Sequence, residues 1–265
     1  MGRRLDLKHP ERYTEKLQWL KLYDRKPEYS RMVDKIAVKE YVAERIGQQY
    51  IIPTYGVWAH FDDIDFDGLP DKFVLKTNHS GGSTGVVICR DKSALDKASA
   101  RRWLERSLKD SFYRRQREWP YKQVRPMIFA EQLLEDAADD DVKDYKFYCF
   151  NGEPKVLLVA SNRRTTHNFE YFDMDFRHLP NVSNSGPNAE EEPSRPECFG
   201  QMKQLAERLS EGFPHLRVDM YCINQKIYFG ELTFFDSSGF DNNSDDRLDM
   251  EWGNWIRLPE NKKYK

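Results

Sequence analysis

The strand-like run KFVLK (72–76) ends on Lys76 and leads directly into Thr77-Asn78-His79-Ser80-Gly81-Gly82-Ser83-Thr84-Gly85. A lysine fixed at a strand end supplies a permanent positive charge. Glycines and small hydroxyl residues beside it let backbone N–H groups close on anionic oxygens. The chemistry suits a nucleotide phosphate, with Ser80, Gly81, Gly82 and Ser83 as the cradle; an ordinary hairpin loop is the other reading. The spacing fits neither G-x-x-x-x-G-K-[ST] nor a G-x-G-x-x-G that opens a helix, which removes support for P-loop and Rossmann architectures.

A second constellation is RVDMYCINQKIYFGELT (217–233), which reads as a β-hairpin turning near Asn224-Gln225-Lys226. A three-residue loop sets Asp219 across from Glu231 and Arg217 across from Thr233 on one face. Opposed carboxylates repel, so this register implies a cation between them, and hard oxygen ligands favour Mg²⁺. A two-residue loop instead slips the register and sends the acids to opposite faces.

A third segment, FYRRQREWPYK (112–122), interleaves cations with aromatics. It suits an anionic or sugar ligand, or else a solvated amphipathic surface. Arg163, Arg164 and His167 form a similar cluster. Cys89, Cys149, Cys198 and Cys222 lack C-x-x-C spacing and mostly sit in strand-like runs, which predicts buried, reduced thiols and no structural zinc. No nucleophile–base spacing stands out, so covalent catalysis is not indicated.

Positioning these groups requires a mixed framework. Helical periodicity marks 15–23 and 34–47, the second ending at Gly47; charged helix is expected over 92–110 and another helix over 199–211. Strands are expected at 72–76, 85–89, 127–131, 145–150, 154–160, 216–223 and 227–233, and polar loops at 136–144, 177–198 and 236–247. The loop at 177–198 is long enough to be an active-site lid or a mobile connection. Strands separated by single helices without strict βαβ alternation predict an α+β fold.

With 265 residues, 39% of them hydrophobic and 14% aromatic, the chain can bury a large core despite a mean hydropathy of −0.84. Forty-two Lys and Arg against 44 Asp and Glu give a net charge of −2, too little for a global nucleic-acid-binding field. The basic opening MGRRLDLK lacks the apolar run of a signal peptide, and no window is apolar enough to span a bilayer, which predicts cytoplasmic residence.

In chain order, the segments EKLQWLKLYDR, DKIAVKEYV, IIPTYGVW, FVLKTNHSGGS, REWPYK, AEQLLED, DYKFYCFNGEPK and LRVDMYCINQKIYFGELTF resemble the ATP-grasp superfamily, specifically its TupA-like branch, named for teichuronopeptide biosynthesis. The resemblance implies two α+β lobes holding ATP between them after a short helical N-terminal segment. The expected division is 1–47, then a lobe over 48–131 with the glycine-rich hairpin, then a lobe over 132–265 with the metal-binding hairpin. It further implies Lys35 and Lys76 as phosphate-binding lysines and Glu131, Gln132 and Leu133 as the adenine-reading hinge. Asp144 takes a ribose or metal-proximal role, Arg217 contacts the phosphoryl group, and Asp219 and Glu231 ligate magnesium.

Two departures stand beside it. Thr233 occupies a position where D-alanine–D-alanine ligases carry an asparagine that completes the metal shell. Only about thirty residues precede Asp34, so the usual preceding α/β lobe has no counterpart there. The implied reaction is an ATP- and Mg²⁺-dependent joining of a carboxylate to an amine through an acyl phosphate, in a glycan setting. The 177–198 loop and Arg114, Arg115, Arg163 and Arg164 are the acceptor-binding candidates. A kinase acting on a hydroxyl and a non-catalytic glycan-binding module are the competing expectations.

Overall fold

The structure is a computed structural model that describes residues 4–82, 84–136, 142–161, 168–182, 188–189, 191–240 and 245–260. Ser83 and the Arg163, Arg164 and His167 cluster lie outside the described residues. Helices run over Tyr13–Tyr23 (α1), Tyr29–Val33 (α2), Ala37–Ile46 (α3), Lys97–Lys109 (α4), Phe112–Gln116 (α5), Phe199–Ser210 (α6) and Asp246–Trp255 (α7). Strands run over Thr54–Trp58 (β1), Phe73–Thr77 (β2), Val86–Cys89 (β3), Ile128–Gln132 (β4), Asp144–Phe150 (β5), Glu153–Ser161 (β6), Asn168–Phe172 (β7), His215–Ile223 (β8) and Lys226–Thr233 (β9). All of the strand pairs are antiparallel, as an α+β fold requires.

The chain divides into two units, one of residues 1–26 with 135–265 and the other of residues 27–134. In the 27–134 unit the sheet order is β1-β4-β2-β3. Strand alternation sends Phe73 and Leu75 of β2, with Ile128 and Ala130 of β4, into a core closed by Ala100 and Leu104 of α4. Val74 and Lys76 of β2 are left for the opposite face, where Lys39 of α3 reaches Glu131 of β4. α4 begins where Asp96 accepts from the Ser99 amide at 2.9 Å, preceded by a separate 3₁₀ turn over Lys92–Ala94.

In the larger unit the order is β7-β6-β5-β8-β9. α6 covers one face, with Phe199 against Phe147 and with Met202, Leu205, Ala206 and Leu209 buried. The other face has two parts along β5 and β8. At one end Phe150 and His215 pack with Tyr13 of α1 and Trp252 of α7. Toward the other end, the same alternation sets Tyr148 opposite Arg217 and Lys146 opposite Asp219.

Several elements differ from the sequence expectations. β1 and β7 have weak apolar alternation and form because a neighbouring strand, β4 for the first and β6 for the second, offers them a ladder. The 236–247 stretch is not all loop: Asp236–Gly239 makes a 3₁₀ turn and α7 starts at Asp246, its amide end capped by Asp245. Cys198 and Cys222 are joined in a disulfide rather than reduced, because the start of α6 folds back onto the end of β8; Cys89 and Cys149 are free and buried. No helix among the described residues is long and apolar enough to cross a membrane.

Candidate functional site

Each unit carries a cluster of buried charge on its sheet. In the 27–134 unit the hairpin of β2 and β3 presents Lys76 opposite Val86, and the chain closes behind it with the Thr77 amide donating to the Gly85 carbonyl at 3.0 Å. The Lys76 ammonium pairs with Glu131, and Lys39 reaches the other Glu131 oxygen at 2.9 Å. Glu131 is only 3% exposed. Burial pushes its carboxyl up, but the Lys76 and Lys39 ammoniums outweigh that and hold it below the usual carboxylate range. One carboxylate thus meets two lysines.

The glycine-rich loop is tied down by polar side chains. Lys35 donates from Nζ to the Ser80 carbonyl at 2.6 Å, and Ser80 Oγ donates to the Thr84 carbonyl at 2.7 Å. Thr77 Oγ1 lies 2.9 Å from Ser80 Oγ and 2.7 Å from Ser107 Oγ of α4. Glycine is required at 85, where φ is +69° and a Cβ would lie 2.2 Å from Thr77 Oγ1. Gly82 also has positive φ, and a Cβ there would meet nothing within 4 Å, so its surroundings are open. The hairpin thus provides the lysine at a strand end and the exposed glycine tip that phosphate binding calls for.

In the larger unit the turn of the β8–β9 hairpin is the two-residue form, Asn224 and Gln225 both at positive φ. That register alone would separate the acids. Gly230 is the extra residue of a bulge between the Asp219 and Met220 pairings, and it restores Asp219 opposite Glu231 and Arg217 opposite Thr233. A Cβ at Gly230 would stand 3.0 Å from the Asp219 carbonyl, so the bulge is closely fitted there.

Around this pair a network forms. Arg217 donates to both Asp219 oxygens at 2.7 and 2.8 Å, to Glu231 at 3.1 Å and to Asp236. Lys146 bridges Asp144 and Asp219 at 2.6 Å each. Four carboxylates thus meet one arginine and one lysine. Burial alone would raise the Asp219 carboxyl, and Arg217 with Lys146 reverse that and lower it. Lys146 is likewise held protonated, the two aspartates outweighing its burial.

The expected residues therefore fall into two groups. Lys35, Lys76, Ser80, Gly81, Gly82, Glu131, Gln132 and Leu133 lie in one unit, and Asp144, Arg217, Asp219, Glu231 and Thr233 in the other. The side chain of Glu131 is spent on the two lysines, and the Gln132 amide on the Pro53 carbonyl at 3.0 Å. Thr233 Oγ1 donates to Glu231 at 3.4 Å. Sequence reasoning missed Lys39, Lys146 and Asp236. Lys146 had a signal, since Asp144, Lys146 and Tyr148 alternate along one strand. Lys39 and Asp236 had none, because only the fold brings them to their partners.

Among the described residues no three His, Cys, Asp or Glu side chains form a group that could hold a metal. Asp219 and Glu231 face each other across the hairpin with hard carboxylate oxygens, the donor type that a magnesium ion takes.

The family described as TupA-like ATPgrasp matches residues 15–257. Among solved structures, the chain is similar to D-alanine–D-alanine ligase from Helicobacter pylori, at 13% identity over 92% of this chain and 69% of that one, with a TM-score of 0.49. It is also similar to N5-carboxyaminoimidazole synthetase from Staphylococcus aureus, at 14% identity over 92% of this chain and 58% of that one (TM-score 0.47). A third is a RimK domain ATP-grasp protein from Sphaerobacter thermophilus, at 12% identity over 89% and 72% (TM-score 0.48). No curated protein matches. The assignment rests on the family match, which spans nearly the whole chain: this protein belongs to the TupA-like ATP-grasp family.

Proposed function

We propose that the protein is an ATP- and Mg²⁺-dependent ligase that joins a carboxylate to an amine, with a uronic acid of a surface polysaccharide as acceptor and an amino acid as donor. The observation that carries this reading is the make-up of the two clusters, lysines gathered around Glu131 and carboxylates gathered around Arg217 and Lys146. Phosphate oxygens complement the first and a divalent cation the second.

In this reading Lys35 and Lys76, with the loop at Ser80, Gly81, Gly82 and Ser83, hold the triphosphate. The adenine is read largely through the backbone of the Glu131, Gln132 and Leu133 hinge. Asp219 and Glu231 hold the magnesium, assisted by Thr233, and Asp144 lies toward the ribose or metal. The magnesium, when bound, neutralises the charge of the transferring phosphoryl group. Arg217 stabilises the same charge from the protein side. The acceptor carboxylate oxygen bonds to the γ-phosphorus as ADP leaves. The amine then attacks the acyl carbon of the resulting acyl phosphate, and the amide forms with loss of inorganic phosphate and a proton. No protein nucleophile takes part.

Calorimetric titration of a non-hydrolysable ATP analogue, with and without Mg²⁺, tests the nucleotide half of the reading. Binding is expected to tighten with Mg²⁺ in the wild type, and Glu231→Gln to weaken the Mg²⁺-dependent part about tenfold, or ~1.4 kcal/mol. ADP release that requires both a uronic acid and an amino acid would support the ligase. A phosphorylated product formed without an amine would replace it with a kinase. Absence of nucleotide binding by folded wild type would sink both.

A further inference from the structure

The 27–134 unit contains a cavity of about 590 Å³ that the nucleotide reading does not use. Its wall is one face of α4, where Trp103, Arg106 and Ser107 lie at spacings of three and four, continued by Asp110 just past the end of the helix. Lys109 and Arg115 complete that side, and Thr84 of the glycine-rich loop forms part of the lining. The size lies within the roughly 300–1,000 Å³ range of small-molecule pockets.

The lining has a definite chemistry. Trp103 is 43% exposed, an unusual position for a large rigid aromatic surface. Arg106 and Lys109 are exposed and make no ion pair among the described residues. Arg115 pairs with Asp110 and stacks over Phe112 at 5.5 Å. Three cations against one carboxylate leave two positive charges uncompensated. Thr84 adds a polar group able to meet hydroxyls. Ser107 is buried and bonds Thr77 Oγ1 at 2.7 Å, and Thr84 accepts from Ser80, so the pocket and the glycine-rich loop are held by one hydrogen-bond chain.

We propose that this cavity binds an acidic oligosaccharide, with a sugar ring laid on the Trp103 face and the carboxylates of adjacent uronate units on Arg106, Lys109 and Arg115. The aromatic face takes the C–H surface of a pyranose, the guanidinium and ammonium groups take its carboxylates, and Thr84 takes a hydroxyl. Naming this the acceptor's binding site rests on the ligase reading. Binding of the oligosaccharide itself requires no ATP, so the two can fail separately.

The test is titration of trigalacturonate into the full chain without nucleotide, with maltotriose and inorganic phosphate as controls. Wild type is expected to bind trigalacturonate and not maltotriose. Arg106→Ala and Trp103→Ala are each expected to weaken it about tenfold while leaving binding of the ATP analogue unchanged, which also reports that the variants are folded. No trigalacturonate binding by a wild type that binds ATP overturns the pocket and leaves the ligase reading standing. Trigalacturonate binding that responds to both variants in a protein that ignores ATP upholds the pocket and removes the ligase. Equal binding of maltotriose, or full competition by inorganic phosphate, overturns the acidic-sugar assignment, as does indifference to both variants.

Discussion

On the sheet of the 27–134 unit two lysines flank one buried carboxylate, whereas on the sheet of the larger unit four carboxylates share one lysine and one arginine. Both clusters are built the same way, from alternate residues on neighbouring antiparallel strands whose other face is the apolar core. They differ in which kind of group gathers. Burying charge costs free energy unless it is paired, so each cluster depends on the ion pairs inside it. Lysines suit an anion and carboxylates a cation, which is what the proposed magnesium-bound nucleotide would require of them.

The sharpest way to break the comparison is to remove one carboxylate from each side. Glu131→Gln takes away the acid that both Lys39 and Lys76 contact and is expected to cost on the order of 3–5 kcal/mol in urea unfolding. Asp219→Asn leaves Arg217 and Lys146 three remaining acids and relieves repulsion among them, so its loss should be clearly smaller. Equal losses would mean that the charge count does not describe the clusters.

Acid separates the regions next. His215, at the aromatic end of the larger unit's charged face, is pushed down to about 4 by burial from its ordinary 6.5. Its ring takes a hydrogen bond with Tyr13 at 3.2 Å and donates to the Phe234 carbonyl at 3.1 Å. The folded protein keeps this imidazole neutral, so its contribution is complete above pH 6.5. As pH falls from 6.5 toward 4 the unfolded chain takes the proton first, and up to about 3 kcal/mol is lost. His215→Gln should flatten that limb of a stability–pH curve relative to wild type; an unchanged slope would show that the limb belongs elsewhere.

The smallest effect expected concerns the bulge that creates the acidic cluster. Gly230→Val brings a β-branched side chain against the Asp219 carbonyl and should cost about 1–3 kcal/mol. It should also weaken Mg²⁺-dependent nucleotide binding more than Mg²⁺-free binding, because a regular ladder turns Glu231 away from Asp219. Loss of stability with no change in the magnesium dependence would separate the register from metal binding.

Much of the framework was legible in advance. The alternation in KFVLK and the glycines after it gave the β2–β3 hairpin with Lys76 at its end, and helical periodicity gave α1, α3 and α6. These signals are local, set by propensity and burial pattern along a few residues. The hairpin of Asp219 and Glu231 shows the limit. Its turn is the short form, which by itself predicts separated acids, and the acids face each other because one glycine bulges. A bulge is decided by cross-strand fit, which a single run of sequence does not carry.

The sequence by itself determined the residue types that could do chemistry, the strands and helices that hold them, and the family pattern in which they recur. Only the tertiary structure decided that Lys39 would flank Glu131, that Lys146 and Asp236 would join the Asp219 cluster, that Cys198 would meet Cys222, and that Trp103, Arg106 and Arg115 would line one cavity. The reason is physical. Periodicity fixes which face of an element a side chain takes, but the sign and number of charges it meets there are set by strands and helices far away in the chain. The free energy of burying those charges is shared among all of them.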